Sequence, residues 1–297
     1  MKSDSTTAII IISFNVEKLL KDCIESIYRE TQNARFEIWA IDNHSRDNSV
    51  QMLKQDFPEV RLIENEENLG FTRANNQAIR QCQSDYVLLL NPDTLIQDGA
   101  IDKMVRFMDE HPDVGVSGCR VLNEDGSLQL ACRRSIPSPS VAFFRLTGLS
   151  RLFPHSKRMA KYNLTYLDPM QTHEVDAVSG AFLLIRRQVI DQIGLLDETF
   201  WIYGEDIDWC IRAKTAGWKV MYFPDAHILH YKGVGCSTNS RKTSYEFYRA
   251  MYLFHKKHFA KDCSPVTNLL IYMGIFAKAA LSSRWFLPSA KVRPGRQ

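Results

Sequence analysis

Short apolar runs at residues 8–14, 36–41, 60–63 and 86–90 open the chain, and stretches with helical periodicity separate them. Leu19, Leu20, Cys23, Ile24, Ile27 and Tyr28, for example, recur at the spacing of one helix face. Strands joined through helices are crossover-connected, and crossovers join parallel neighbours. The order therefore predicts a doubly wound, mostly parallel, Rossmann-like sheet of the α/β class. Such sheets bind ligands in the crevice beyond the carboxyl ends of their strands, and a nucleotide is the natural occupant.

A missing residue type restricts how that nucleotide is held. The first glycine of the 297-residue chain is Gly70, so the turn Ser13-Phe14-Asn15-Val16 cannot be a glycine-rich cradle for pyrophosphate. Neither GxGxxG nor GxxxxGK occurs anywhere, which argues against dehydrogenases and P-loop NTPases. Side chains or a metal must then manage the phosphates. Asp42 closes the second strand in IDNHSRD, and Asp93 follows the fourth in LLLNPD. Each alone reads as a turn or cap former, because Asn, Pro and Asp all favour turns. Two acids at strand ends of one parallel sheet, however, converge on a single crevice.

Beyond residue 112 the pattern becomes mixed: VGVSGCRVL, a turn at Asn123-Glu124-Asp125-Gly126, then EVDAVSGAFLLIRR at 174–187. Helical patterns follow at 187–193 and 205–216, then a strand-like WKVMYF at 218–223 and two tail helices at 244–259 and 265–286. We expect a catalytic domain over 1–240 and a helical appendage over 241–297. The seven cysteines are odd in number and form no CxxC pair, which points to reduced thiols in a cytosolic compartment rather than a disulfide frame or zinc site. The apolar run at 8–14 is too short for a signal peptide and reads as a first strand. No stretch reaches the roughly 18 apolar residues of a membrane span. The nearest approach, 268–287, is interrupted by Lys278 and Arg284.

Taken together, IIIISFN (9–15), IDNHSRDNS (41–49), NEENLGFTRANN (65–76), LLLNPD (88–93), VSGAFLLIRR (178–187), GLLDETFWIYGEDIDWCIR (194–212) and HILHYKG (227–233) resemble, in order, the inverting glycosyltransferases of family 2, with the GT-A fold. The resemblance implies that Asp42 holds the base or ribose of a nucleotide-sugar donor, with Ser13 and Asn15 lining the pocket. It implies that a divalent cation, Mg or Mn, sits on the donor diphosphate at a DxD-type motif. That motif is Asn91-Pro92-Asp93 here, so only its final Asp is retained, with His230 as a second ligand. Asp206 is the implied base that deprotonates the acceptor hydroxyl, and Glu205 and Asp208 support it. A cluster of acids favoured by a helix dipole is the plainer account of the same residues. Gly180 would lie close to the donor sugar. Trp201 and Tyr203 would stack on the acceptor sugar or else serve as core aromatics.

Residues 126–167 contain no Asp or Glu but include Arg133, Arg134, Arg145, Arg151, Lys157, Arg158 and Lys161. Within FFRLTGLSRLF (143–153) basic and aromatic residues interleave, which suits an anionic membrane surface or a lipid diphosphate. No nucleic-acid motif accompanies the charge, so nucleic acid is not expected as a partner. The stretch 133–154 most resembles bacterial rhamnosyltransferases that use dTDP-rhamnose and extend a polyprenyl-diphosphate-linked sugar in cell-surface polysaccharide synthesis. A UDP-sugar donor such as UDP-GlcNAc or UDP-galactose is the alternative, and an inactive sugar-binding scaffold is the alternative of another class. The expected place of work is the inner face of the cell membrane, through peripheral contact. Lys232, Arg241 and Arg249 are candidates to hold the diphosphate in a closing lid. A processive polymerase is disfavoured because the Q-x-x-R-W motif is absent.

Overall fold

The computed structural model describes residues 5–231 and 241–282. Its first strand, β1 (Thr6–Ser13), buries Ala8, Ile9, Ile10 and Ile11 completely, as a strand covered on both faces requires. Helix α1 (Glu17–Glu30) lays Leu20, Cys23, Ile24 and Ile27 against the sheet. There follow β2 (Arg35–Asp42), α2 (Ser49–Asp56), β3 (Arg61–Glu64), α3 (Gly70–Gln81) and β4 (Tyr86–Leu90). All pairings among these strands are parallel, in the order β3-β2-β1-β4. The register sets Ser13 beside Asp42, Asp42 beside Glu64, and Ile11 beside Leu90. The carboxyl ends of the strands thus form one rim, and both acids singled out from the sequence stand on it.

The second half comprises β5 (Thr94–Gln97), α4 (Ala100–Glu110), β6 (Val114–Leu122), β7 (Arg133–Arg134), α5 (Pro139–Leu146), α6 (Leu149–Leu152) and β8 (His173–Glu174). It continues with β9 (Ala177–Val178), β10 (Phe182–Arg186), α7 (Arg187–Ile193), α8 (Glu205–Thr215) and β11 (Lys219–His230). Here the sheet turns mixed. β10 lies antiparallel between β4 and β6, while β11 runs parallel to β6 and antiparallel to β5 and β8. β7 and β9 pair separately as a two-stranded ribbon. The strand read from WKVMYF continues past Pro224 to His230, because the register with β6 slips between Phe223 and His227. A bulge of this kind accommodates the proline, which a regular central ladder would exclude.

Helix α9 (Arg241–His258) places Ala250 and Phe254 in the same core as the sheet. Helix α10 (Pro265–Ser282) packs on α9 through Ile275 and a Tyr252–Tyr272 ring pair with centroids 4.9 Å apart. Cys23, Cys82, Cys119, Cys132, Cys210 and Cys263 are free thiols. Cys236 and Lys232 lie outside the described residues. Among the described residues no helix is long and apolar enough to cross a membrane.

Candidate active site

On the rim between β1 and β2, Ser13 and Asp42 are buried register partners. Asp42 accepts the Ser45 backbone N–H through Oδ2 at 2.8 Å, but among the described residues its Oδ1 and the Ser13 Oγ find no partner. Buried polar atoms are rarely left orphaned, because each costs about 1–3 kcal/mol. Two of them on adjacent strand ends mark a place for a ligand's hydroxyls or base edge. Asn15 closes the pocket in a left-handed conformation, with φ 55°. That strain is held by reciprocal bonds: Asn15 N–H donates to Ser45 Oγ at 2.9 Å, and Asn15 Oδ1 accepts Arg46 N–H at 2.7 Å.

Farther along the rim, the turn after β4 carries Asn91 and Asp93. His230, the last residue of β11, brings Nε2 to 3.2 Å from Asp93 Oδ1 and to 3.3 Å from the Asn91 amide nitrogen. The other ring nitrogen, Nδ1, lies 2.9 Å from Gln129 Oε1, while Gln129 Nε2 donates to the His230 carbonyl at 2.8 Å. Gln129 Oε1 offers an acceptor to Nδ1, while Nε2 faces the Asp93 carboxylate and the Asn91 amide. In the tautomer with its proton on Nδ1, His230 presents an Nε2 lone pair beside a carboxylate oxygen, a pair that could take a cation. The donor set, one carboxylate oxygen and one imidazole nitrogen, suits a divalent ion completed by phosphate oxygens and water. Among the described residues no group of three or more His, Cys, Asp or Glu side chains forms a closed metal cage.

The acids of YGEDIDWC begin α8. Tyr203 (φ 70°) and Gly204 (φ 86°) both adopt left-handed conformations just ahead of it, a kink that turns the helix start toward the crevice. Asp206 Oδ2 receives Arg134 Nη2 at 2.6 Å and the Gly180 N–H at 3.1 Å, while Oδ1 receives the Ile207 N–H at 2.7 Å. Oδ2 is thus fully occupied, and Oδ1 keeps a lone pair. Arg134 also donates to the Val178 carbonyl at 2.7 Å. Burial opposes the charge of Arg134, but Asp206 outweighs it and holds the guanidinium firmly protonated. Glu205 is different: burial and then the Asp206 charge push its carboxyl well above the ordinary range. The helix therefore presents one ion-paired carboxylate and one carboxyl biased toward the neutral acid.

Hydrogen bonds of backbone and side chains link the two clusters. Gly180 touches Asp206, the Ala181 carbonyl accepts the Asn91 N–H at 3.2 Å, and Asn91 touches His230. A Cβ on Gly180 would meet Asp206 at 3.7 Å, an ordinary van der Waals contact, so the turn lies against the acid without a steric need for glycine there.

The structure also gives partners to other residues singled out from the sequence. Asp208 does not orient Asp206; it binds Arg212 Nε at 2.9 Å, Lys257 Nζ at 2.6 Å and His258 Nε2 at 2.8 Å, and so fastens α9 to α8. Burial alone would raise its pKa, but His258, Lys257 and Arg212 together hold it at about 2. Trp201 packs against Gly70, where any Cβ would sit 2.6 Å from it, and Lys242 Nζ lies 3.9 Å over its ring. Tyr203 makes an edge-on contact with Phe247. Arg249 pairs with Glu246 on its own helix. Arg134 and Gln129 were not singled out as site residues from the sequence. Both lie toward the start of the acid-free stretch, whose basic residues read as suited to an anionic membrane surface or a lipid diphosphate, yet Arg133 and Arg134 are buried.

The model of the Glycosyl transferase family 2 matches residues 8–194. The chain belongs to this family. It is a glycosyltransferase with the GT-A fold, as the motifs implied. Its relatives include the N-acetylglucosaminyl-diphospho-decaprenol L-rhamnosyltransferase of Mycobacterium tuberculosis, 30% identical over 225 residues that cover 72% of either chain. Rhamnosyltransferase WbbL of Escherichia coli is 25% identical over 236 residues, 75% of this chain and 82% of that protein. The fold of this family 2 enzyme also matches S. aureus TarS 1–349 in complex with UDP, with a TM-score of 0.57 at 17% identity over 99% of this chain and 76% of that one. It likewise matches the mannosyltransferase PcManGT of Pyrobaculum calidifontis in complex with GDP-Man and Mn2+, with a TM-score of 0.57 at 15% identity over 93% and 75%.

Proposed function

We propose that this enzyme transfers one sugar, L-rhamnose from dTDP-rhamnose, with inversion to a hydroxyl of a polyprenyl-diphosphate-linked acceptor. The observation that supports this mechanism is the bonded run from Asp206 through Gly180, Ala181 and Asn91 to His230 and Asp93, which links the residues proposed as base and as diphosphate end. The rhamnosyl and lipid-diphosphate choices draw on the names of the M. tuberculosis and E. coli relatives.

Ser13, Asn15 and Asp42 hold the nucleoside. Asp93 and His230 would hold a divalent cation, Mg or Mn, which when bound supplies Lewis-acid stabilisation to the leaving diphosphate. Asp206 takes the acceptor hydroxyl proton on the free lone pair of Oδ1 as the acceptor's hydroxyl oxygen attacks the anomeric carbon from the face opposite the diphosphate. The bond to the nucleotide breaks, and the diphosphate departs with the electron pair. Arg134 keeps the Asp206 carboxylate aimed. Glu205 stands beside it as a neutral carboxyl, and Trp201 and Tyr203 flank the acceptor side.

In this reading residues 1–240 carry the catalytic residues, and 241–297, whose helix α9 shares the core of the sheet, form the part that meets the inner face of an anionic membrane. Val266, Leu269, Leu270, Met273, Phe276 and Leu281 lie on one face of α10 and are exposed, Leu281 by 88%. Lys278 ties that helix to the Leu146 carbonyl at 2.7 Å, beside exposed Phe143 and Leu152 and the basic residues of α5 and α6. An apolar stripe next to acid-free basic chain matches an anionic interface. Incubation of the enzyme with Mn and a panel of nucleotide sugars, in vesicles carrying a GlcNAc-diphospho-lipid, tests the reading. Turnover of dTDP-rhamnose to the inverted anomer is expected. Selective use of a UDP-sugar, or retention of anomeric configuration, would overturn the donor or the mechanism.

A further inference from the structure

Beside the crevice lies a cavity of about 490 Å³ that the donor machinery does not use. Its walls include Asn123, Gln129, Arg145, Arg151, Tyr162 and Asn163, and none of the described residues lining it is an Asp or Glu. Arg145 and Arg151 come from α5 and α6, so two guanidinium groups face a space with no counter-charge of its own. Arg145 is already ordered by stacking on Tyr162, with its guanidinium carbon 5.1 Å from the ring centroid.

Both ends of the cavity touch the chemistry. On one side Gln129 is the residue that orients His230. On the other, the Tyr162 carbonyl accepts the N–H of Ser135 at 2.9 Å, next to Arg134, whose guanidinium grips Asp206. An anion in this cavity is therefore next to the base without sharing the donor's diphosphate position at Asp93. The outer wall, α5 and α6, also bears the exposed Phe143, Leu152 and Phe153, and Lys278 joins it to the apolar stripe of α10. A molecule with a sugar at one end, an anionic group in the middle and a long apolar tail would follow this path from Asp206, through the arginines, to the bilayer.

We infer that Arg145 and Arg151 bind the diphosphate of the lipid-linked acceptor in this cavity and so select acceptors that carry one. Guanidinium forks pair bidentately with phosphate oxygens, and an acid-free lining removes competition for them. The inference rests on the glycosyl-transfer reading but is tested apart from it.

The experiment compares two soluble acceptors with the same sugar, one on a short-chain prenyl diphosphate and one on a neutral octyl glycoside, using the wild type and the Arg145→Gln/Arg151→Gln variant. The variant is expected to raise the KM for the diphosphate acceptor at least tenfold, with the donor KM and transfer to the neutral glycoside unchanged. The Arg145→Lys/Arg151→Lys variant should recover part of the loss. Calorimetric titration with the sugar-free prenyl diphosphate, without donor, should show saturable binding that the Gln variant loses. This arm reads the cavity even if no sugar were transferred. Equal loss toward both acceptors, or a raised donor KM, would overturn the proposal. So would loss of binding to phosphatidylglycerol vesicles with the diphosphate KM unaltered, since the arginines would then serve bilayer headgroups instead.

Discussion

The two halves of the sheet are built by different rules. From β1 to β4 every strand is parallel and every connection local, and the proposed donor-site residues Ser13, Asp42 and Asp93 sit where strands end. From β5 to β11 the sheet is mixed, and its chemistry depends on distant pairs such as Arg134 with Asp206, 72 residues apart, and Gln129 with His230, 101 apart. In the proposed mechanism the parallel half supplies the nucleotide rim, and the mixed half brings the proposed base, its partner, the imidazole and the proposed acceptor cavity to that rim, so the residues proposed for substrate-specific work are concentrated where the topology is irregular.

The sharpest way to separate the halves is to remove the base. Asp206→Asn is expected to lower sugar transfer by about 10²–10⁴-fold, the usual contribution of a positioned general base, in steady-state turnover assays. Parity with wild type would move proton transfer to another group.

Next in size is the clamp between α8 and α9. Asp208→Asn leaves Arg212, Lys257 and His258 without a buried counter-charge and should cost about 3 kcal/mol in chemical denaturation. Because the folded-state pKa of Asp208 is depressed to about 2, its contribution is present above the ordinary Asp range and is lost as pH falls through about 2. The wild-type and variant unfolding curves should therefore converge in strong acid and separate near neutrality.

A smaller effect is expected at the join between the halves. Gln129→Leu removes the acceptor that orients His230, and outer-shell losses of this kind cost about 10–100-fold in metal affinity. Titration of nucleotide-dependent Mn binding measures it.

The smallest concerns Glu205, whose raised pKa means that its protonated form is favoured by folding. Its contribution is present in acid and is lost as pH rises above the ordinary carboxylate range. Glu205→Gln should flatten this part of the pH profile of the thermal midpoint, with the variant gaining on the wild type toward alkaline pH.

These differences also explain what could be read from the sequence. The β1 to β4 strands were legible within a residue or two because period and burial are local properties, and Asp42 and Asp93 because they punctuate apolar runs. His230 was reached only through family resemblance, since a histidine ending a strand has no distinctive local pattern. Arg134 was visible only as one of a run of basic residues. Its role depends on β7 pairing with β9, which turns the side chain inward onto α8. Asp208 was misread for the converse reason: next to Asp206 in sequence, it points to α9 instead. The continuation of β11 past Pro224 was hidden by a bulge that no short-range pattern announces.

The division of labour between the two ends of the crevice is tested most directly by calorimetric titration of dTDP, with and without Mn, into the wild type, Asp93→Ala and Asp206→Asn. The Mn-dependent part of the binding should vanish in Asp93→Ala and persist in Asp206→Asn, although the latter no longer transfers sugar. Unchanged Mn dependence in Asp93→Ala, or an equal loss in both variants, would contradict the account.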